Sequence, residues 1–223
     1  MKNLTLVIPA KNEKESLPYV LEDLKKYDLK ILVVLEEQDK ETINSIKNYN
    51  CEILFQNSKG YGNALIEGIN NTNTEFFCIF NADGSFNSSE LKDMYFLAAT
   101  KKFDLVFGTR YEKGSKSEDD TITTLIGNKI FSFIGKVFFS LTISDILYTF
   151  VLGSTKKVKN LELKKEDFSF CVELPIKAKR SNLQMTTNVS FEKRRIAGKK
   201  KVNAIRDGFK ILISMIVLFF KFR

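Results

Sequence analysis

The first half of the chain alternates short β-forming runs with helix-like patterns, and this alternation constrains the fold more than any other feature. The apolar, β-rich runs are residues 4–9, 31–35, 51–55, 76–80 and 104–107. The helix-like stretches between them are 16–27, 41–49, 62–69 and 88–100. Strands that alternate with helices form a mostly parallel sheet flanked by helices on both faces. The sequence therefore predicts an α/β, Rossmann-like fold whose ligands bind beyond the carboxyl ends of the strands.

Composition and charge indicate one packed domain with an anionic partner. The 223 residues are 43% hydrophobic, which is enough for one full α/β core and short for two. The net charge of +8 favours a nucleic acid, an anionic membrane or a phosphorylated substrate. Basic residues concentrate from Lys177 onward, beside the most apolar segment, and no nucleic-acid motif is recognised. This pattern favours a membrane surface over nucleic acid.

Cysteine and histidine usage narrows the compartment and the chemistry. Cys51, Cys78 and Cys171 lie far apart in apolar runs, so we expect core thiols in a reducing compartment. The first predicted strand follows Met1 closely with no export signal before it, and we therefore expect a cytoplasmic protein. Because the chain has no His, catalysis must rest on carboxylates, cations, amides or a bound metal.

The second half of the chain has a different pattern, in which helices dominate. The polar stretch 112–120 predicts a mobile loop, and the Phe-rich stretch 126–138 predicts an amphipathic helix. Core packing and a lipid-facing groove both explain this helix, and the two can hold on opposite faces. A further helix is predicted over 170–180, with Pro175 in its first turn because proline is tolerated there.

The chain ends in a predicted amphipathic or interfacial helix over 202–222, whose second half is almost wholly apolar. That apolar run is too short to span a bilayer, which needs roughly 20 such residues. The helix either closes the core or anchors the protein at a membrane surface, where Lys210, Lys221 and Arg223 reach headgroups. The predicted units are the domain 1–202, with halves 1–107 and 108–202, and the terminal helix 203–223.

The strongest local signal is the segment 80–85, Phe-Asn-Ala-Asp-Gly-Ser, at the end of a hydrophobic strand. A carboxylate there suits a divalent cation that bridges a diphosphate, because hard oxygen ligands match Mg²⁺ or Mn²⁺. In isolation the segment also fits an ordinary Asp-Gly turn. Its context is three segments expected at the same edge of the sheet, which are 7–13, 59–64 and 108–111. In the last of these, Arg110 offers a guanidinium suited to phosphate.

In order and spacing these segments resemble the family-two inverting glycosyltransferases of GT-A fold, and among them the dolichol-phosphate mannosyltransferase-like enzymes. The resemblance covers almost the whole chain. The segments that carry it are 7–13, 31–36, 59–64, 81–85, 108–111, 144–145, 173–174 and 195–201. It implies a nucleotide-sugar donor, a polyprenyl or dolichyl phosphate acceptor, Mg²⁺ or Mn²⁺ as cofactor, and peripheral attachment to the cytoplasmic face of a membrane.

The resemblance also implies a role for each matching residue. The positions around the nucleotide base are Pro9, Lys11, Glu13 and Glu36. Asn81, Ala82 and Asp83 correspond to the metal-binding DxD motif, and Ser85 stands at a further ligand position where these enzymes often have Gln. Asp83 is implied as the principal metal ligand, with Asn81 and Ser85 beside it. Arg195 and Lys201 match residues that close over the donor diphosphate, and Arg110 matches an arginine that engages the acceptor phosphate.

The chain departs from the family pattern at three further points in these segments. Asn81 replaces the first Asp of the metal motif, Leu35 replaces an Asp on the second strand, and Lys200 replaces a common Ser. A neutral amide oxygen offers a cation less charge, so we expect weaker metal binding. A lipid phosphate is already ionised near pH 7 and needs no base, whereas for a hydroxyl acceptor Asp145 is the best candidate base.

Other functions stay open on the sequence alone. The acceptor can be a glycan hydroxyl, as in the synthesis of cell-surface polysaccharide. A catalytically weakened relative that binds a partner or a membrane is a second alternative, and metal-dependent binding of a nucleotide sugar would argue against it. A nucleotidyltransferase normally has a Gly-rich basic loop after its first strand, where this chain has residues 9–13. The sugar, the base and the oligomeric state are left undetermined.

Overall fold

The computed structural model of the protein describes residues 1–198 and 201–221. Lys199 and Lys200, which belong to the predicted basic segment, lie outside the described residues, as do Phe222 and Arg223 at the end of the predicted terminal helix. The strands are β1 (Leu4–Pro9), β2 (Lys30–Leu35), β3 (Glu52–Phe55), β4 (Phe76–Ile79), β5 (Leu105–Thr109), β6 (Lys116–Ser117), β7 (Val151–Ser154), β8 (Met185–Val189) and β9 (Phe191–Glu192). The helices are α1 (Leu17–Leu24), α2 (Lys40–Ile46), α3 (Tyr61–Asn71), α4 (Leu91–Ala99), α5 (Ile122–Phe139), α6 (Thr155–Lys159), α7 (Phe170–Arg180) and α8 (Ala204–Lys221).

Seven strands form one mixed sheet in the order β3-β2-β1-β4-β7-β5-β8. β7 runs antiparallel to β4 and β5, and the other neighbours are parallel. This confirms the predicted α/β fold with a mostly parallel sheet. The predicted halves 1–107 and 108–202 share this sheet. β5 extends to Thr109, past the predicted division, and β7 and β8 come from the second half.

Helices cover both faces of the sheet, which explains why the strand sequences are continuously apolar. On one face α1, α2 and α4 pack over a core that includes Leu21, Ile46 and Met94. On the other face α3, α6, α7 and α8 pack over a core that includes Leu65 and Met215. Cys78 belongs to the first of these cores, Cys171 is buried, and Cys51 is half-buried. All three are free cysteines, as predicted.

Local chemistry sets where the helices of the second half begin. α5 starts with a capping box, in which the Thr121 and Thr124 side chains each bond the other's backbone N–H. α8 starts after Asn203, whose Oδ1 accepts from the Arg206 N–H at 3.0 Å, and not at Val202 as predicted.

Two sequence predictions in the second half are wrong. Pro175 lies inside α7 and not in its first turn. A proline there costs roughly 3 kcal/mol, and the burial of most of α7 offsets this cost. The stretch 112–120 is not simply a mobile loop, because β6 within it pairs with β9 and Glu112 accepts a hydrogen bond from Ser144 at 2.8 Å. These partners are distant in the sequence, and composition alone does not reveal them.

α5 and α8 lie side by side and expose much of their apolar surface. The exposed apolar residues of α5 are Ile122, Ile126, Ile130, Phe133, Val137 and Phe138. Those of α8 are Ile205, Phe209, Ile213, Ile216, Val217 and Phe220. By length and composition α5 is long and apolar enough to cross a membrane, and 17% of it is buried. Length and composition alone do not distinguish a span from a helix that lies on a surface.

The contact between α3 and the sheet leaves no room for a side chain at Gly68. A Cβ there would lie 2.4 Å from Val7 Cγ1 and 3.0 Å from Val34 Cγ2. Gly68→Ala is therefore expected to lower the free energy of unfolding by about 1–3 kcal/mol, as measured by urea denaturation.

Gly127 in α5 is the matched control, because a Cβ there would meet nothing within 4 Å. Gly127→Ala is expected to raise the free energy of unfolding by about 0.5–1 kcal/mol, since alanine loses less entropy in a helix. Equal stability of the two variants would contradict the close packing of α3 on the sheet.

Candidate functional site

The carboxyl ends of β1, β2 and β4 open into a cavity of about 380 Å³. Most of the predicted donor-binding residues line it. They are Pro9, Lys11, Glu13, Glu36, Asn81, Ala82, Asp83 and Lys201. The parallel strands bring these residues together because all three strands end at the same edge of the sheet. The two remaining predicted residues, Ser85 and Arg195, contact Asp83 from beside the cavity.

One end of this cavity is formed by charged side chains that follow β1 and β2. Lys11 Nζ lies 2.6 Å from Glu36 Oε1, so each side chain holds the other at the rim. The buried Glu13 carboxylate accepts from Ser16 Oγ at 2.6 Å and also forms an ion pair with Lys201 Nζ. Lys201 therefore joins the C-terminal part of the chain to the first strand end.

The segment after β4 presents one carboxylate to the cavity. Asp83 Oδ1 accepts from the backbone N–H of Ser85 at 3.0 Å and from Ser85 Oγ at 2.6 Å, which fixes the side chain. Asn81 Nδ2 approaches Ser85 Oγ at 3.5 Å. Gly84 has a φ of +79°, a left-handed conformation that favours glycine and turns the chain at this point.

The oxygen atoms around Asp83 fit a cation that is shared with a substrate. The described residues contain no group of three His, Cys, Asp or Glu side chains that could hold a metal ion, so these side chains alone offer no closed metal cage. Mg²⁺ is commonly bound by one or two carboxylates together with phosphate oxygens and water. Asp83, with the amide oxygen of Asn81 and the hydroxyl of Ser85, provides such a partial set.

Arg195 lies over the same segment. Its Nη2 is 2.9 Å from Asp119 Oδ2 and 3.6 Å from Asp83 Oδ2, and Ile196 N–H donates to the Asp83 carbonyl at 2.8 Å. Burial alone would lower the pKa of Arg195, but its hydrogen bond to Asp119 and the nearby charge of Asp83 raise it above the ordinary value. A positive charge is therefore held within reach of any diphosphate at Asp83.

Arg110 lies at the end of β5 in a buried charge network. Its Nε and Nη2 donate to the Asp145 carboxylate at 2.8 and 3.0 Å, and its Nη1 donates to Glu192 at 3.0 Å. Its guanidinium also stacks on the Tyr148 ring, 4.4 Å from the ring centroid. Burial would lower the pKa of Arg110, but the Asp145 and Glu192 carboxylates raise it, so this cation is permanent. The predicted contact of Arg110 with an acceptor phosphate stays a prediction.

The structure argues against Asp145 as a base for a hydroxyl acceptor. Its side chain has 0% exposure, and its oxygens accept from the Arg110 side chain, the Arg110 backbone N–H and Asn128 Nδ2. No acceptor can reach a carboxylate that is enclosed in this way. The sequence did not reveal this, because Asn128 and Arg110 come to Asp145 only through the fold.

A second cavity, of about 440 Å³, begins at the donor cavity and runs between α5 and α8. Asn81, Tyr61 and Phe168 line both cavities. The polar end of the second cavity contains Arg110, Asp119, Asp120 and Glu192. Its far walls are apolar and include Ile126, Ile130, Phe131, Leu147, Ile205 and Ile211.

Several residues of these cavities were not predicted. Tyr61 stacks on Phe168 with ring centroids 5.0 Å apart, and its hydroxyl bonds Thr149 at 2.7 Å. Burial raises the pKa of Tyr61, so its hydroxyl stays protonated. Its place inside the segment 59–64, directly after the Gly60 that precedes α3, was an available signal. No sequence pattern indicated Glu192, because it lies 82 residues from Arg110 in the chain and meets it only in the folded structure.

Comparison with solved structures shows the same GT-A fold in enzymes of low sequence identity. Glucosyl-3-phosphoglycerate synthase from Mycobacterium tuberculosis, crystallised with Mn²⁺, UDP and phosphoglyceric acid, matches with a TM-score of 0.77 and 12% identity over 98% of this chain and 78% of that one. Mannosyl-3-phosphoglycerate synthase from Rubrobacter xylanophilus matches with a TM-score of 0.71 and 12% identity over 98% of this chain and 72% of that one.

Comparison of sequences identifies the family. An uncharacterised glycosyltransferase of Mycobacterium tuberculosis is 30% identical over 107 residues, 48% of this chain and 48% of that protein, so the chain spans about half the length of the mycobacterial relatives that it matches. An uncharacterised protein of Methanocaldococcus jannaschii is 24% identical over 221 residues, 95% of this chain and 90% of that protein. The family described as glycosyl transferase family 2 matches residues 5–161, and the chain therefore belongs to this family.

Proposed function

We propose that the protein transfers a sugar from a nucleotide-sugar donor to a polyprenyl or dolichyl phosphate, with inversion at the anomeric carbon. The reaction uses Mg²⁺ or Mn²⁺ and takes place at the cytoplasmic face of a membrane. The observation that carries this proposal is the apolar-walled cavity between α5 and α8, whose polar end meets the donor cavity at Asn81.

The donor cavity supports the first half of the proposal. Its volume and its polar groups suit a nucleoside diphosphate, with the base toward Lys11 and Glu36 and the diphosphate toward Asp83. The glucosyl-3-phosphoglycerate synthase that shares the fold was crystallised with UDP and Mn²⁺ or Mg²⁺. When bound, the cation would neutralise charge that develops on the leaving diphosphate.

Two basic residues complete the donor side. Arg195 and Lys201 now pair with Asp119 and Glu13, and a donor diphosphate offers them a stronger anionic partner at the same place. An exchange of partners toward the diphosphate would place both cations beside the leaving group. Charge stabilisation of this kind is commonly the largest contribution to such transfers.

The acceptor side supports a lipid phosphate. In an inverting transfer the phosphate oxygen forms a bond to the anomeric carbon as the bond from that carbon to the diphosphate oxygen breaks. The attacking phosphate is already ionised, so no proton must be removed, and the transfer does not depend on the enclosed carboxylate of Asp145. Apolar walls beyond the polar end suit a prenyl chain, because they remove its surface from water.

The same cavity argues against a small soluble acceptor. Phosphoglycerate, on which the named structural neighbours act, is charged and has no apolar part to place against Ile130 and Ile205. The exposed apolar faces of α5 and α8 continue from the cavity, and Lys210 and Lys221 flank the face of α8. This combination is typical of helices that lie in a membrane interface.

The metal and donor assignment predicts a loss of binding when the carboxylate is removed. Asp83→Ala is expected to weaken Mn²⁺-dependent binding of nucleoside diphosphates at least tenfold, since it removes the only charged oxygen ligand of the segment. Titration calorimetry with and without Mn²⁺ measures this. The control is Asp28→Ala, which removes an exposed carboxylate far from the cavity. This variant should bind nucleoside diphosphates as the wild type does. Equal binding by the Asp83 variant contradicts the metal site.

The acceptor assignment predicts an effect of polarity in the cavity wall. Ile130→Asp is expected to lower transfer to a short polyprenyl phosphate in detergent about tenfold or more, because the carboxylate repels the phosphate and disfavours the apolar chain. Binding of the donor should not change. Phe133→Asp is the control, because Phe133 is exposed on the same helix and does not line the cavity. Equal loss in both variants would contradict the assignment of the cavity.

The membrane assignment predicts weaker attachment when exposed apolar residues of α8 are made polar. The double variant Phe209→Ser, Ile213→Ser is expected to partition at least tenfold less onto vesicles that contain anionic phospholipid, since each buried side chain contributes roughly 1.5–3 kcal/mol. Co-sedimentation measures this. The control is Phe96→Ser, because Phe96 is similarly exposed but lies on α4, across the sheet from α8. Partitioning of this variant onto the vesicles should not change. Unchanged attachment of the α8 variant would exclude this face of α8 as the membrane-binding surface.

A further inference from the structure

Three polar side chains stand in a row at the carboxyl ends of neighbouring strands. β1 pairs with β2 up to Pro9 and Val34, and β2 pairs with β3 up to Leu35 and Phe55. Beyond these pairs the same alignment places Lys11, Glu36 and Gln56 next to one another along the edge. All three line the donor cavity, at the end away from Asp83.

The orientation of the Gln56 amide follows from its neighbours. Its Nε2 donates to the carbonyl oxygens of Ser58 at 3.0 Å and Gly60 at 3.1 Å. Carbonyl oxygens only accept, so the nitrogen must face them and the amide cannot be turned over. Both hydrogens of the amide are thereby used. Among the residues that the structure describes, none donates to Gln56 Oε1, and this oxygen remains as an acceptor at the cavity.

The row therefore presents hydrogen-bonding groups in a fixed order. Lys11 is a donor, Glu36 is an acceptor, and Gln56 Oε1 is a second acceptor. The edge of guanine carries the complementary order, with an acceptor at O6 followed by donors at N1 and N2. Uracil carries a donor between two acceptors and would bring a carbonyl oxygen against Gln56 Oε1. Cytosine and adenine lack two adjacent donors, so neither can satisfy both acceptors.

We propose that the donor carries guanine, and that Gln56 determines this specificity by accepting a hydrogen bond from the 2-amino group. In this arrangement Glu36 accepts from N1 and Lys11 donates to O6, while the ion pair of 2.6 Å keeps the two side chains in place. The inference rests on the proposed use of a nucleotide-sugar donor. It differs from the glucosyl-3-phosphoglycerate synthase named above, which was crystallised with UDP.

Inosine diphosphate tests the role of the 2-amino group, because it equals GDP except that this group is missing. With Mn²⁺ present, the wild type is expected to bind GDP about tenfold more tightly than inosine diphosphate, and about a hundredfold more tightly than UDP. In Gln56→Ala the ratio of the affinities for GDP and inosine diphosphate should fall to about one. The ratio is the readout, since loss of the bonds to Ser58 and Gly60 changes both affinities equally.

Asn57→Ala is the matched control. Asn57 is the next residue, its side chain bonds Glu67 at 3.2 Å, and it does not line the donor cavity, so the ratio should keep its wild-type value. Equal binding of GDP and inosine diphosphate by the wild type, or a ratio that Gln56→Ala leaves unchanged, overturns the assignment of Gln56. Tighter binding of UDP overturns the choice of guanine and leaves the proposed function intact. Binding of none of the three overturns both.

Discussion

The parallel pairing of the central strands is the constraint on which the candidate site depends. Val7 pairs with Leu32 on one side and with Ile79 on the other, inside layers that are fully apolar. Helices cover both faces of the sheet. A shift of any strand by one residue would turn each of its core side chains to the opposite face, where a different set of helices packs. The polar residues beyond the strand ends take their positions from this register. The ion pair between Lys11 and Glu36 is a direct result, since each lies two positions beyond the paired residues Pro9 and Val34.

The part of the site that we propose for the acceptor is held together differently, by charge. Arg110 joins the end of β5 to Glu192 on β9, and Asp145 joins it to Asn128 on α5. Removing one partner of a buried ion pair costs roughly 3–5 kcal/mol, because the other charge is left uncompensated. The network therefore fixes where α5 lies relative to the sheet, and α5 forms a wall of the second cavity. This structural role of Arg110 is independent of any contact with an acceptor phosphate.

The predictable parts of the protein are those that local patterns encode. Apolar runs and their spacing were enough to predict β1 to β5, and the strand ends were enough to predict that Glu13 and Asp83 lie at one edge of the sheet, where both line the donor cavity. Contacts over long sequence separations were not predictable. The burial of Asp145 depends on Asn128 and Arg110, and the pairing of β6 depends on β9. The position of Pro175 inside α7 also follows from tertiary burial, which overrides the local cost of proline.

The apolar faces of α5 and α8 and the second cavity are best understood as one feature. A soluble protein gains nothing from exposing Phe209 or Ile126, since each exposed side chain forgoes the stabilisation that burial would give. A lipid acceptor changes this balance, because its chain stays in the bilayer while its phosphate must reach the donor. Helices that lie in the interface and border the cavity allow both at once. Under the proposed function, the sugar donor at the strand ends would meet the phosphate near Asn81, which lines both cavities, without the lipid leaving the membrane.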